Sequence, residues 1–132
     1  MEFNFKKFEG RNRKQEDRIT ITRKSYSMGF PQKFYIDNKI NEYKYVVLYW
    51  DSNNKAIAIH FSNSGQETNK IKISVSKDGY GGGVGIKNFL RFYKIDPEIY
   101  YGRYDWKKED LENIGKVYII ELKEHIKKDV SV

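Results

Sequence analysis

Cysteine is absent from this chain of 132 residues. That excludes disulfides, thiolate zinc sites, iron–sulfur clusters and cysteine nucleophiles, and it fits a reducing cytosol. No apolar run approaches the ~20 residues needed to span a bilayer. The opening stretch, Met1 to Phe8, alternates Phe with Glu, Asn and Lys and lacks the continuous apolar segment of a secretory signal. The expectation is a soluble, cytoplasmic protein with no membrane partner. Acidic residues are the scarcer charge, 18 against 25 Lys and Arg, which leaves a formal net charge of +7. Aromatic residues are plentiful at 16%, with 11 Tyr and 8 Phe, in a chain of which 33% is charged. Such a composition folds rather than staying disordered, and the length suits one domain or two small lobes sharing a core.

Glu2 to Glu9 alternates apolar and polar residues and predicts a short strand, ended by Gly10. Residues 11–18 hold no apolar side chain and read as a solvated basic arm. Strand character returns at Ile19 to Thr22 and breaks over Ser25 to Gly29. Pro31 then opens a short helix to about Asn38, since proline at a first helical position loses no needed hydrogen bond. Tyr43 to Trp50, the turn residues Asp51 to Asn54, and Ala56 to Phe61 read as a hairpin. Ser62 to Lys70 is a polar linker.

The same order then recurs. Ile71 to Ser76 alternates like Ile19 to Thr22, Asp78 to Gly85 is a glycine-rich break, and Ile86 to Tyr93 predicts a helix with Phe89, Leu90 and Tyr93 on one face. Tyr100 to Trp106, a charged turn around Lys107 to Gly115, and Lys116 to Leu122 make a second hairpin. Phe30 to Ile40 and Gly85 to Ile95 are both 11 residues long and coincide at Phe34 with Phe89, Lys39 with Lys94, and Ile40 with Ile95. Lys55 to Phe61 and Lys116 to Leu122 also match in length and pattern. The reading is a duplication: an N-terminal strand and basic arm over 1–18, a first unit over 19–61, a linker over 62–70, a second unit over 71–122 and a charged tail over 123–132.

A strand, a glycine-bearing loop, a short helix often opened by proline and a two-stranded hairpin resemble the swapped-hairpin unit of the AbrB, SpoVT and MazE family. Phe30-Pro31 with Phe34 and Ile40 follows that family's segment in spacing. The second copy has Ile86 in place of proline, while Phe89, Arg91, Tyr93 and Ile95 keep the register. The resemblance implies a DNA-binding β-rich α+β fold, with two pseudosymmetric strand-helix-hairpin units forming one swapped-hairpin-like barrel as a monomeric pseudodimer or a homodimer.

Enzyme motifs fail when tested. Gly79 to Gly85 is not followed by Gly-Lys-Ser or Gly-Lys-Thr and lacks the dinucleotide spacing, so it reads as a tight turn or bulge. Asp51 to Lys55 begins like a calcium loop, but lacks the glycine and distal glutamate such a loop needs. His60 and His125 sit in separate segments without a metal-binding partner motif. No catalytic residue, metal or cofactor is implied.

The cations say more. Arg11, Arg13, Lys14 and Arg18 lie in the N-terminal arm; Arg23 and Lys24 close the first repeated strand; Lys72 and Lys77 take comparable places in the second; and Lys33, Lys87 and Arg91 lie on the helices. Converging on one surface, such residues bind phosphates; scattered, they only keep the chain soluble. Tyr43, Tyr45 and Tyr49 alternate along one strand face, opposite Val46, Leu48 and Trp50. Exposed, they would stack unpaired bases; buried, they would leave basic loops to grip duplex DNA. The expected function is non-enzymatic binding of duplex DNA, as in a transcriptional regulator. The alternatives are a single-stranded DNA or RNA module that stacks bases, an antitoxin-like interaction module and, last, an enzyme.

Overall fold

The computed structural model describes residues 2–7, 16–77 and 81–124. Among these residues, ten strands and three short α-helices follow one another as β1 (Ile19–Ile21), β2 (Ser27–Phe30), α1 (Gln32–Asp37), β3 (Tyr45–Asp51), β4 (Ala56–Ser62), β5 (Ile71–Lys72), β6 (Ser74–Val75), β7 (Gly82–Gly85), α2 (Lys87–Phe92), α3 (Pro97–Tyr100), β8 (Gly102–Tyr104), β9 (Lys107–Leu111) and β10 (Gly115–Glu121). A 3-10 turn, Ile40–Glu42, follows α1. The protein is thus β-rich α+β, as expected. Its strands form two five-stranded antiparallel sheets, in the orders β6-β7-β2-β1-β8 and β5-β3-β4-β10-β9, rather than the single barrel expected. The ladders are interrupted at Ile73, whose N–H donates to the Lys44 carbonyl between β5 and β6, and at Asp105–Trp106 between β8 and β9. There the chain crosses from one sheet to the other.

Pairing within the sheets is reciprocal. When Lys55 to Phe61 is set against Lys116 to Leu122, Ala58 corresponds to Ile119, and these two residues face each other across the β4–β10 ladder. On either side Ile59 faces Tyr118 and Ile57 faces Ile120, so each residue pairs with the counterpart of the other. In the other sheet β2 and β7 pair around Met28 and Val84, with β1 and β6 flanking them. The first strand of each half also reaches across: Ile19 pairs with Tyr104, and Ile71 pairs with Val46.

Inward-facing residues of both sheets and both longer helices make one apolar cluster. Along β3, Val46, Leu48 and Trp50 face it, and Tyr45, Val47 and Tyr49 take the other face by the two-residue period of a strand. The hairpin turn after β3 is held by Asp51, which accepts hydrogen bonds from the N–H groups of Asn53 and Asn54 and from the Asn54 amide.

Several segments differ from expectation. Glu2 to Lys7 forms no strand; Phe3 and Phe5 stack on each other but stay exposed, and no strand among the described residues pairs with them. Ser27–Phe30, most of it within the expected break over Ser25 to Gly29, and Gly82–Gly85, within the expected glycine-rich break, are strands paired with each other. Tyr100 ends a helix begun by Pro97, whose preceding Asp96 accepts the Glu98 N–H at 2.9 Å. Pro31 precedes α1 in extended conformation rather than occupying its first turn. Among the described residues no helix is long and apolar enough to cross a membrane.

Two of the glycines of β7, Gly82 and Gly83, are required by close approach. A Cβ on Gly82 would lie 2.7 Å from the Ser74 carbonyl oxygen, and one on Gly83 would lie 2.8 Å from that of Met28. Gly79 lies outside the described residues.

Candidate nucleic-acid interface

The β1–β2 turn is held by its own hydroxyls. Thr22 Oγ1 lies 2.7 Å from Ser25 Oγ and 2.8 Å from Ser27 Oγ, and it accepts the Ser27 N–H at 3.1 Å. Tyr26 completes the turn at a φ of 50°. Its carbonyl accepts the Ile86 N–H at 2.8 Å, which brings the turn against the start of α2. Lys87 then lies over the Tyr26 ring, 5.7 Å from its centroid. Arg23 lies over Tyr101 at 4.9 Å, with Glu98 at 3.9 Å. Lys24 is exposed beside them, and Arg91 stands one helical turn beyond Lys87. Lys94 follows at a φ of 56°. The helix Lys87–Phe92 contains no carboxylate, and Lys24, Lys87, Arg91 and Lys94 have none within ion-pair distance among the described residues.

The other predicted cations do not join them. Arg11, Arg13 and Lys14 lie outside the described residues, as does His125. Arg18 is neutralised: its Nε donates to Glu16 Oε1 at 2.7 Å and its Nη2 to Glu16 Oε2 at 3.0 Å. Through that bond, with the nearby Arg103 charge assisting, the pKa of the Glu16 carboxyl is lowered to about 2. Lys33 donates to Asp37 at 2.8 Å. Lys72 is exposed on β5. Lys77 lies on the β6–β7 turn, whose Gly81 approaches Phe30 and Gln32. The β1–β2 turn sits at the opposite end of the same ladder, where Ser27 faces Gly85. Arg23 and Lys24 are therefore separated from Lys77 by the length of a four-residue ladder, ~13 Å.

The expected tyrosine row is likewise divided. Tyr43 precedes β3 and packs on the core, its ring 6.1 Å from that of Phe61. Tyr45 is half-buried with Lys70 Nζ 5.4 Å from its ring centroid, and Tyr49 is half-buried on the outer face. His60 makes a cross-strand tie, its Nδ1 2.9 Å from the Lys116 carbonyl oxygen.

Two exposed rings lie at the end of α2. Phe92 is 77% exposed and Tyr93 41% exposed. Tyr93 packs on Phe92 at 4.9 Å, on Phe89 at 5.1 Å and on Trp50 at 6.0 Å between centroids. Beside them runs a groove of about 490 Å³ floored by Leu48, Ile71 and Phe89. Asn69, Lys70, Asn88, Phe92 and Tyr93 complete its lining, and none of these residues is a carboxylate. Composition alone did not single out Phe92; the usable signal was its place two residues after the buried Leu90, on the opposite side of the helix.

In the corresponding region of the first half the phenylalanine is enclosed, and the pocket of about 350 Å³ beside α1 is lined by Glu16, Lys33, Ile36 and Asp37 among others. Phe34 is fully buried, with Trp106 at 5.2 Å, Tyr118 at 5.1 Å and Phe30 at 5.7 Å. Trp106 Nε1 donates to the Asp17 carbonyl at 2.9 Å, which ties that segment to the edge of the ring. Among the described residues no three His, Asp or Glu side chains are placed to hold a metal ion. No protein-family model matches this chain, and neither the curated proteins nor the solved structures yield a match.

Proposed function

We propose that this chain is a non-enzymatic nucleic-acid-binding protein of the cytoplasm whose phosphate contacts come from the β1–β2 turn and α2. The observation that carries the reading is the face on which Lys24, Lys87, Arg91 and Lys94 stand, with no carboxylate among the described residues close enough to pair with them. Unneutralised cations gathered on one face are what a polyanion requires, and each phosphate they neutralise releases counterions. Lys77 lies at the other end of the β2–β7 ladder from Arg23 and Lys24, so this reading draws its phosphate contacts from the turn and α2. We also read the fold as a tandem duplication of a swapped-hairpin unit like that of the AbrB, SpoVT and MazE family, folded as a monomeric pseudodimer. The reciprocal strand pairing supports this, as does an exchange of aromatic contacts: Phe34 of the first half packs edge-on against Trp106 of the second, and Phe89 of the second against Trp50 of the first.

The test is fluorescence anisotropy with labelled oligonucleotides over a range of salt. Replacing Lys24, Lys87 and Arg91 by Gln together should weaken binding and reduce the log-log salt slope by ~0.7 to 0.9 for each phosphate left without its cation. Thermal stability should change little, because exposed charges contribute little to folding. A triple variant that binds as tightly as the parent with the same slope would falsify this assignment of the face.

A further inference from the structure

We infer that the outer face of the sheet β5-β3-β4-β10-β9 receives residues Glu2 to Lys7 of a second copy of this chain, so that two copies exchange these segments. The inference goes beyond the nucleic-acid reading and uses a different face. Phe3 is 71% exposed and Phe5 88% exposed, and their rings stack on each other at 5.6 Å. Large rings held together in water mark a contact surface. In an extended chain Lys7 continues their row, two residues further on. Neither Lys6 nor Lys7 has an ion-pair partner among the described residues.

The receiving groove has a volume of about 350 Å³ and a floor of small side chains. Ala58 lies between Tyr49 and Ile119 in the ladder, and Ala56 lies between Asp51 and Glu121. Methyl groups at two successive outward positions of β4 leave a trough walled by Tyr49 and Ile119. The rim carries Asp51, Glu109 and Glu121 against one cation, Lys107, whose Nζ is 3.5 Å from Glu121. Asp51 and Glu109 have no ion-pair partner among the described residues. The Asn54 amide and the N–H groups of Asn54 and Asn53 lower the pKa of Asp51, which keeps it ionised. In a chain of net charge +7, this groove thus holds a local excess of acid.

The occupant follows from period and charge together. Phe3, Phe5 and Lys7 repeat every two residues, as do the outward positions of β4. With Phe5 over Ala58, Lys7 comes to Ala56, between two carboxylates whose backbones stand about 10 Å apart. A nucleic acid would be repelled by this rim, and an uncharged apolar segment would leave it unpaired. The chain's own Phe3 and Phe5 stand in solvent and do not line its groove, so a second copy supplies them. Each copy offers one segment and one groove, which closes the assembly as a twofold dimer. Four such phenylalanines bury about 600 Å². With the groove surfaces they cover the total is about 1,200 Å², the lower bound of a stable specific interface.

The experiment is sedimentation equilibrium of the full chain. The parent should pass from monomer to dimer with a micromolar dissociation constant. Phe3→Ala combined with Phe5→Ala should weaken association about 100-fold, and since both rings are exposed in the single chain the urea midpoint of the monomer should not move. Lys7→Glu and Glu121→Lys should each weaken it about 10-fold. An equimolar mixture of those two variants should recover most of the loss, because each segment then meets a groove of opposite charge. The Lys24, Lys87 and Arg91 variant should dimerise like the parent, which separates this test from that of the nucleic-acid face. A parent that stays monomeric to ~300 µM, a Phe3 and Phe5 variant that associates like the parent, or a mixture no tighter than its separate components would each overturn the exchange.

Discussion

The two halves of the molecule use one packing device and finish it in opposite ways. In each, a phenylalanine on the short helix meets a tryptophan contributed by the other half. Around Phe34 the device is sealed: Trp106 is hydrogen-bonded to Asp17, and Glu16 neutralises Arg18 and approaches Arg103. Around Phe89 it is left open: Trp50 shares its surface with Tyr93, and Phe92 faces water. The residues before the first strand of each half account for the electrostatic contrast. Glu16, Asp17 and Arg18 precede Ile19, whereas Thr68, Asn69 and Lys70 precede Ile71, so the second half has a cation here and neither carboxylate. The helices differ in the same sense, Lys33 being paired with Asp37 while Lys87 and Arg91 have no acid on their helix. Both halves keep a pocket beside the short helix, the first lined by Glu16, Lys33 and Asp37 and the second by no carboxylate.

The sharpest way to break this comparison is to truncate the two phenylalanines. Phe34→Ala should cost ~3 to 5 kcal/mol in urea unfolding, as for a fully enclosed aromatic side chain. Phe89→Ala, already partly solvated, should cost only ~1 to 2 kcal/mol. Equal losses would mean that the second half is as closed as the first.

Next in size is the strand that joins the halves. Gly83→Ala should destabilise by ~1 to 3 kcal/mol, because its Cβ would press on the Met28 carbonyl, a backbone atom that cannot rotate away. Gly85→Ala, with open space around its Cβ, should be close to neutral. Parity between them in thermal melts would argue against the close β2–β7 approach.

Tyr35 and Leu90 occupy matching positions on the two helices, and both are buried. The Tyr35 hydroxyl has no hydrogen-bond partner among the described residues, and burial pushes its pKa up. Tyr35→Phe should therefore hold stability or raise it by up to about 1 kcal/mol. A clear loss in calorimetry would reveal a partner for that hydroxyl.

A smaller effect tests the symmetry of the helix ends. Lys39 and Lys94 both follow their helices in the left-handed region, at φ of 54° and 56°. Replacing either by Gly relieves the Cβ strain while adding unfolded-state entropy, so the two variants should shift stability alike, by less than ~1 kcal/mol. Divergence between them would show that the two ends are not equivalent.

The smallest expected effect is one of pH. The Glu16 carboxyl ordinarily titrates near 4.5 and is held down to about 2 by Arg18. Since the folded value lies below the unfolded one, its stabilisation is complete above about 4.5 and is lost as pH falls through about 2. Glu16→Gln should flatten the acid limb of stability over that window only. An unchanged limb in acid titrations followed by circular dichroism would discount the pair.

Local signals carried much of the fold. The β3–β4 hairpin was legible because its strands alternate and Asp51 to Asn54 is turn chemistry. The three identities between the helical segments proved structurally meaningful: Phe34 and Phe89 each meet a tryptophan, Lys39 and Lys94 share a backbone conformation, and Ile40 and Ile95 are both buried. The strand Gly82–Gly85 was not legible, because glycine has no strand preference of its own. It is a strand only because β2 and β6 flank it closely. Nor was the candidate site. Tyr43, Tyr45 and Tyr49 have the spacing of a binding row, yet the chain leaves Tyr43 on the core and covers Tyr45 with Lys70.

By itself, then, the sequence determined the periodicities, the turns, the absence of thiol chemistry and the excess of cations, all of which depend on composition or on neighbours a few residues apart. Tertiary structure alone decided which rings are enclosed and which stay in water. Those outcomes depend on contacts between distant segments, such as Trp106 with Asp17 and Tyr93 with Trp50, and burial is a property of the assembled surfaces rather than of any residue within them.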